Sequence, residues 1–391
     1  MVKGKKRLYL QVTNDCYMKD IPFVFGKVTS GKNFTDREKE TKMLSLNFRN
    51  GVNTILISPR RMGKSSLVEK VANTVASDKL KVVNMDIFSC KSEDDFYDMF
   101  STEIIRQTAG TFEKITSYIG EFLSGIRPVV EFSPDLATGF NLSLSASKRE
   151  MDVRTVLELP EVIAQKKNLD IVVCIDEFQQ ITEFDDPVTF QKKLRTVWQH
   201  FERTSFCLYG SRKHMMQKIF GDKGMPFYRF GSITNLGPIP QEEWLKYITG
   251  QFEASGKSIS PDTISKICST VENVSSYVQQ LSWIIWARVN KKAEELPFDE
   301  AAEVLVDENA ALFESLTAPL SGPQMGFLRA LRDGINSGFT SYAILEKYQL
   351  GTPGNVSKIK SVLTKKELID ADRTSVWIPD PVFRLWLKRL P

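Results

Sequence analysis

Between Asn53 and Val71 the sequence reads NTILISPRRMGKSSLVEKV, and its periodicity changes in the middle. The apolar run Asn53–Ser58 has the composition of a strand buried on both faces. From Lys64 to Ala76 the apolar positions fall at helical spacing instead. The loop between them, Ser58-Pro59-Arg60-Arg61-Met62-Gly63-Lys64-Ser65, fits the pattern GxxxxGK[ST] at every position but the first, where serine replaces glycine. A buried strand that turns through such a loop into a helix belongs to a layered α/β architecture. Its backbone N–H groups and positive helix end form a cradle for phosphate.

That architecture needs further strands of the same kind. KVVNMDIF (Lys81–Phe88), DIVVCIDEF (Asp170–Phe178), SFCLYGS (Ser205–Ser211) and the weaker GSITNLGPI (Gly231–Ile239) supply them. Helical segments at Ser92–Leu123, Asp152–Gln165 and Val188–Glu202 separate these runs, as in a parallel sheet flanked by helices. IRPVVEFSPDLATGFNLSLSAS (Ile126–Ser147) breaks the alternation and reads as a β-hairpin inserted between the second and third core strands. After Pro240 the pattern is helical, with Ser260-Pro261-Asp262 marking one helix start. The stretch LTAPLSGP (Leu316–Pro323) marks a domain boundary, and the remainder of the chain reads as a winged helix. The expected organisation is a phosphate-loop core at 1–240 with the hairpin near 126–147, a helical lid at 241–315 and a winged-helix domain at 316–391.

Composition narrows the function classes. The 391 residues suit two to three domains, and the hydrophobic (42%) and charged (26%) fractions are those of an ordinary globular protein. No apolar run approaches the roughly 18 residues that cross a bilayer, and the basic N-terminus lacks the length and cleavage site of a signal peptide. A cytoplasmic protein without a membrane partner is expected. The five cysteines show no CxxC spacing, which argues against a disulfide framework or a zinc site. Cys174 and Cys207 sit inside strand-like runs and read as core residues. Only two histidines, His200 and His214, are present, which leaves little for His-based catalysis.

The chemistry therefore falls on the phosphate loop, Ser58 to Ser66, and on acids that meet it. Lys64 would reach the β- and γ-phosphates, the Ser65 hydroxyl would bind Mg²⁺, and Gly63 would let the backbone approach the phosphate. Ser58 takes the turn-forming position, where a small residue is tolerated at modest cost. In IVVCIDEF, Asp176 and Glu177 end a buried strand at the edge where ligands bind. Asp176 fits as an anchor for Mg²⁺ and its water, and Glu177 as the group that polarises an attacking water. The next strand ends in Gly210-Ser211-Arg212, with Ser211, and then Arg212, the candidates for sensing the γ-phosphate. No NKxD motif occurs in the place a guanine-reading site would need, so ATP is the expected nucleotide.

Together these residues resemble the archaeal-type ATPase family, a STAND/AAA-like branch of P-loop ATPases. The resemblance covers most of the chain. FGKVTSGKNFTDREKETKML resembles that family's N-terminal F-x-x-R-E-x-E box, carried by Phe34, Arg37, Glu38 and Glu40. SPRRMGKSSL is similar to its phosphate loop and CIDEFQQI to its acidic strand, while IPDPVFRLWLKR, with Asp380, Pro381, Phe383, Arg384 and Trp386, is similar to the end of its winged helix. The resemblance implies a five-stranded parallel core with the phosphate-loop strand beside the sensor strand, then a helical lid and a winged helix. It also marks Arg229, in YRF where relatives more often have glycine before the arginine. That residue would stabilise the transferring phosphate, report it to the lid, or pair with a core acid. Some relatives continue into a nuclease-like domain; the sequence stops at Pro391, so no nuclease is expected.

Arg60 and Arg61 read as surface or interdomain contacts within the phosphate-binding loop. Residues 316–391 carry 11 Lys and Arg against 6 Asp and Glu, net +5, while the whole chain is only +4. Lys358, Lys360, Lys365 and Lys366 on the recognition helix and Arg373 on the wing could meet DNA phosphates. The competing reading is a solvated face or a protein-docking surface. Two functions remain open at this point. One is a slow Mg²⁺-dependent ATPase that acts as a conformational switch on DNA or a protein. The other is a DNA-binding or scaffolding module in which nucleotide is a structural ligand.

Overall fold

The computed structural model describes residues 21–29, 31–109, 129–131, 141–143 and 153–390. Helix α1 (Glu38–Arg49) leads into β1 (Thr54–Ile57), the phosphate loop and α2 (Lys64–Val75). Then come β2 (Leu80–Asp86), α3 (Glu93–Ala109), the short strands β3 (Val129–Glu131) and β4 (Asn141–Ser143), and α4 (Val153–Lys167). The core is completed by β5 (Asp170–Asp176), α5 (Pro187–Trp198), β6 (Thr204–Gly210), α6 (Lys213–Gly221) and β7 (Ser232–Asn235).

The five long strands form one parallel sheet in the order β2-β5-β6-β1-β7. The phosphate-loop strand thus lies beside β6, as the family resemblance implies. Alternation along each strand sends neighbouring side chains to opposite faces. Leu56, Val172, Cys174, Cys207 and Tyr209 pack under α1 and α2 with Phe48, Leu67 and Val71. Ile55, Ile57, Val173, Ile175, Phe206 and Leu208 pack on the other face, beneath α3 to α6, with Phe96, Phe100, Phe190 and Trp198. Both faces are covered, which is why the strands read as unbroken apolar runs. Cys174 and Cys207 are buried partners across β5 and β6, the core residues expected of them.

The weak fifth run is the edge strand β7, which pairs only with β1. It begins after Gly231, where a Cβ would stand 2.2 Å from the Asn53 carbonyl oxygen, so only glycine lets the two backbones approach. The inserted hairpin is present as the antiparallel pair β3 and β4, while its turn, with the remainder of 126–147, lies outside the described residues. So does the end of the helix expected to run to Leu123, which is described as far as Ala109.

The segment expected to form the lid comprises α7 (Gln241–Ala254), α8 (Pro261–Thr270), α9 (Ser275–Arg288) and α10 (Phe298–Thr317). Ser260 caps α8 by accepting the Thr263 N–H, with Pro261 in the first turn. The winged helix follows as α11 (Gly322–Arg332), α12 (Tyr342–Lys347), α13 (Pro353–Lys365), the antiparallel pair β8 (Asp370–Ala371) and β9 (Val376–Trp377), and α14 (Pro381–Leu387). Lid and winged helix share one continuous apolar core, in which Phe313 of α10 packs on Phe383 and Trp386 of α14. Among the described residues no helix is long and apolar enough to cross a membrane.

Gly326 lies inside α11 because a Cβ there would stand 2.0 Å from the Tyr348 carbonyl oxygen. Gly326→Ala is expected to destabilise the chain by about 2 kcal/mol through overpacking, despite alanine's better helix propensity. Urea unfolding measures this; a stability equal to or above wild type would contradict the packing described.

Candidate functional site

β1 delivers the chain to Ser58, which is fully buried. Its N–H donates to the Gly210 carbonyl (3.4 Å) and its hydroxyl to the Pro59 carbonyl (3.1 Å). Ser58 is not among the residues with positive φ, so this loop makes no demand for glycine at that position. The left-handed residues are Arg61 (φ 66°) and Gly63 (φ 82°). Gly63 caps α2 and lines the cavity, and beyond its chain neighbours nothing lies within 4 Å of where its Cβ would be. Arg61 is held in its unusual conformation by the lid and the winged helix. Its guanidinium bonds the Tyr277 hydroxyl and the Asp380 carboxylate and lies 4.7 Å from the Tyr277 ring centre, while its carbonyl accepts the Ser276 N–H (3.1 Å).

Opposite the loop, β5 ends in Asp176, and Glu177 takes a left-handed conformation (φ 52°) that turns its side chain back to the loop. The Lys64 ammonium, 7% exposed, sits 3.3 Å from an oxygen of each carboxylate. The Ser65 hydroxyl donates to Asp176 (2.6 Å) and the Ser211 hydroxyl to Glu177 (2.9 Å). Gln179, 3% exposed, donates to the same Glu177 oxygen. A Cβ on Gly210 would fall 1.8 Å from the Gln179 amide oxygen, so glycine at 210 makes room for that arrangement.

Burial pushes the Asp176 carboxyl above its ordinary range, against Lys64 and the Ser65 hydrogen bond. Burial acts on Glu177 the same way, but Lys64 and the hydrogen bonds from Gln179 and Ser211 outweigh it and hold that carboxyl below its usual value. Glu177 is therefore the firmly ionised member of the pair.

These groups open onto a cavity of about 530 Å³. Ser58 apart, the loop residues Pro59 to Ser66 line it, together with Glu177 and Ser211. Asp176 stands behind it on Ser65 and Lys64. Among the described residues no cluster of three or more His, Cys, Asp or Glu side chains could hold a metal. A hydroxyl with one carboxylate behind it nonetheless suits Mg²⁺, which keeps several waters and takes oxygen ligands from phosphates.

Several lining residues escaped the sequence reading. Asp86 ends β2 in register with Asp176 and reaches the cavity. The same strand-end rule that identified Asp176 could have found it. The strap Val24–Thr29 also lines the cavity, tied by the Val24 N–H to Gln279 (3.3 Å) and the Thr29 N–H to Ser66 (2.9 Å). Nothing in the residue types of the strap signals this.

Other expected residues lie apart. Arg229 is exposed, does not line the cavity, and rests 5.3 Å from the ring centre of Tyr228. Arg60 lines the cavity but pairs with Glu367 of the winged helix (2.7 Å), the interdomain contact expected. Arg212 bridges Glu183 and Glu367, each at 2.6 Å. On the winged helix Lys358, Lys365, Lys366 and Arg373 are exposed, whereas Lys360 is half-buried with its ammonium 5.1 Å from the ring centre of Phe339.

A family model described as "Probable winged helix domain" matches residues 311–389. Among solved structures, the chain is similar to the Walker-type ATPase PABY2304 of Pyrococcus abyssi over 94% of its own length and 100% of that chain, with a TM-score of 0.67 and 16% identity. It is also similar to the ORC2 protein of Aeropyrum pernix, in complexes with ADPNP and ADP, over 92% of this chain and 96% of that one (TM-score 0.56, 14% identity). No curated protein sequence matches it. These likenesses are of fold: a parallel α/β core with a phosphate loop, followed by helices and a C-terminal winged helix.

Lys64→Ala would leave two partly buried carboxylates beside each other without a cation, at a cost of roughly 3 kcal/mol near neutral pH. Both carboxyls then titrate above their unfolded values, so protonation relieves the repulsion as pH falls. Denaturant unfolding should show a smaller deficit at pH 5 than at pH 7.5; a deficit independent of pH would contradict the charge account.

Proposed function

We propose that this chain binds ATP with Mg²⁺, hydrolyses it slowly, and uses the nucleotide to reposition its winged helix. The observation that carries this reading is the Lys64 ammonium held between Asp176 and Glu177 in front of a cavity walled by the Pro59–Ser66 loop. A pure binding site has no use for Glu177, held ionised by Lys64, Gln179 and Ser211. The complexes of the Aeropyrum pernix protein with ADPNP and ADP support a nucleotide in this fold.

Mg²⁺, when bound, would neutralise part of the phosphate charge, and Ser65 and Asp176 are the residues to hold it. The rest falls to the chain's own groups. Lys64 exchanges its carboxylate partners for phosphate oxygens. Glu177 keeps its contacts with Ser211 and Gln179, and its freed oxygen takes a proton from an attacking water. Arg229, exposed and away from its own cavity, would act on the nucleotide of a neighbouring copy.

The switch reading rests on how the winged helix is fastened. On the core side the contacts come from Arg60, Arg61, Arg212 and His214; on the winged-helix side from Glu367, Asp370 and Asp380. Arg60 and Arg61 belong to the phosphate loop, and Arg212 follows Ser211. Incoming phosphate charge would therefore compete with the carboxylates that hold the domain closed.

A second reading, DNA contact, is favoured by the outward face of α13. Lys358, Ser361, Val362 and Lys365 are exposed at helical spacing, with no acid on the helix, while Glu367 beyond it is taken up by Arg60 and Arg212. A protein-docking surface remains the alternative to DNA.

Glu177→Gln is expected to bind Mg·ATP with near wild-type affinity and to lose at least about 100-fold in turnover. Wild-type specific activity should rise with protein concentration if Arg229 works between copies, and Arg229→Ala should remove that rise. Phosphate-release assays read both; undiminished turnover in Glu177→Gln would eliminate it as the base. Duplex DNA should bind the chain with an affinity that falls steeply with salt as counterions are released. A salt-independent association, or none at low ionic strength, would favour a protein partner.

A further inference from the structure

Helix α1 begins in an unusual way. Asp36 (φ 54°) and Arg37 (φ 67°) are consecutive non-glycine residues in the left-handed region, and no side chain caps the helix. Such backbone persists only where the surroundings hold it. Here it carries the Arg37 side chain inward until the residue is only 4% exposed, and burial lowers its pKa.

The buried guanidinium grips two separate pieces of chain. Its Nη2 donates to the Met62 carbonyl of the phosphate loop (3.1 Å) and to the Gly237 carbonyl (2.6 Å). Its Nη1 reaches Glu40 (3.3 Å), and the side chain borders the cavity. Gly237 lies on the connection between β7 and α7, where the lid would hinge on the sheet. The preceding residue, Leu236, is tied to β1 through the Ile57 carbonyl (2.8 Å), and Pro240 begins the first lid helix, α7.

The Met62 contact bears on the phosphate cradle. In a planar trans peptide the N–H points opposite to the C=O, so holding the Met62 carbonyl against Arg37 aims the Gly63 N–H the other way. Gly63 is one of the residues that line the cavity. Fixing the orientation of one peptide presets one donor of the anion cradle.

We propose that Arg37 is a positioning residue that ties the phosphate loop to the lid hinge, so that filling the loop is felt at Gly237. This rests on the reading of the cavity as a nucleotide site. The contact is reciprocal, as any coupling between two sites must be: a displaced hinge would turn the Met62–Gly63 peptide and weaken phosphate binding.

Hydrogen exchange on the full chain tests the proposal, with ADP and Mg²⁺ as the probe. Arg37→Met keeps an aliphatic stem in the buried site but removes every donor. Without nucleotide, Arg37→Met should speed exchange in both the phosphate-loop segment 62–68 and the hinge segment 236–245; no change in either overturns the clamp. This arm needs no nucleotide, so a wild-type chain that failed to bind ADP would count against the nucleotide reading alone. With ADP and Mg²⁺, wild type should gain protection in both segments. Arg37→Met should bind ADP at least tenfold more weakly and, at saturation, protect the loop without the hinge. Protection of both segments in Arg37→Met overturns the coupling. Arg37→Lys separates geometry from charge: full recovery of affinity and hinge protection would overturn the role of the planar fork, and failure to recover supports it.

Discussion

The Lys64 ammonium between Asp176 and Glu177 is the contact around which the rest is arranged. Two carboxylates at the end of a buried strand cannot both stay ionised there without a cation. The lysine comes from the loop after β1 and the acids from the end of β5, two strands that are not neighbours, because β6 lies between them. The adjacency β5-β6-β1 brings the two ends to one edge with the Ser211 hydroxyl in the middle. The sheet's apolar faces thus serve to hold three polar strand ends in register at the mouth of a cavity. The charge balance is also provisional, since anything that draws Lys64 away leaves Glu177 with its hydroxyl and amide partners and a free oxygen.

The same logic extends outward. The phosphate loop has cations at positions 60 and 61 that bond to carboxylates of a domain more than 300 residues along the chain. Tyr277 of the lid joins this group by donating to Asp380 (2.8 Å), which also caps α14 through the N–H groups of Val382 and Phe383 (3.0 Å each). One aspartate therefore completes a helix of the winged domain and fastens that domain to the loop. Exposed ion pairs are individually weak, and such contacts can be exchanged for phosphate without unfolding anything. Lid and winged helix share one apolar core, so separating them would cost buried apolar area.

Much of the architecture was legible in the sequence because burial on both faces leaves a plain signature. The runs at Asn53–Ser58 and Asp170–Phe178 became β1 and β5, and the acids at the end of the second run lie beside the phosphate loop, where Lys64 pairs with both. The order of the strands was not legible from periodicity; it entered through the family resemblance. The reason for tolerating Ser58 needed the backbone, which takes no left-handed turn there. Asp86 was overlooked although it obeys the strand-end rule that identified Asp176. The clamp by Arg37 and the Arg61–Asp380 pair were beyond reach, because contacts between distant segments leave no local pattern. Arg229 was placed in a catalytic set by resemblance alone, and a single chain does not bring it to the cavity.

The central claim is that ATP, and not ADP, in the Lys64 site moves the winged helix. Spin labels at Asp78→Cys in the core and Ser357→Cys on α13, both exposed positions, would report the separation of the two domains in a Glu177→Gln background that retains ATP. Pulsed electron-electron distance measurements should show one distribution without nucleotide or with ADP, and a displaced one with Mg·ATP. Identical distributions under saturating Mg·ATP would contradict the account.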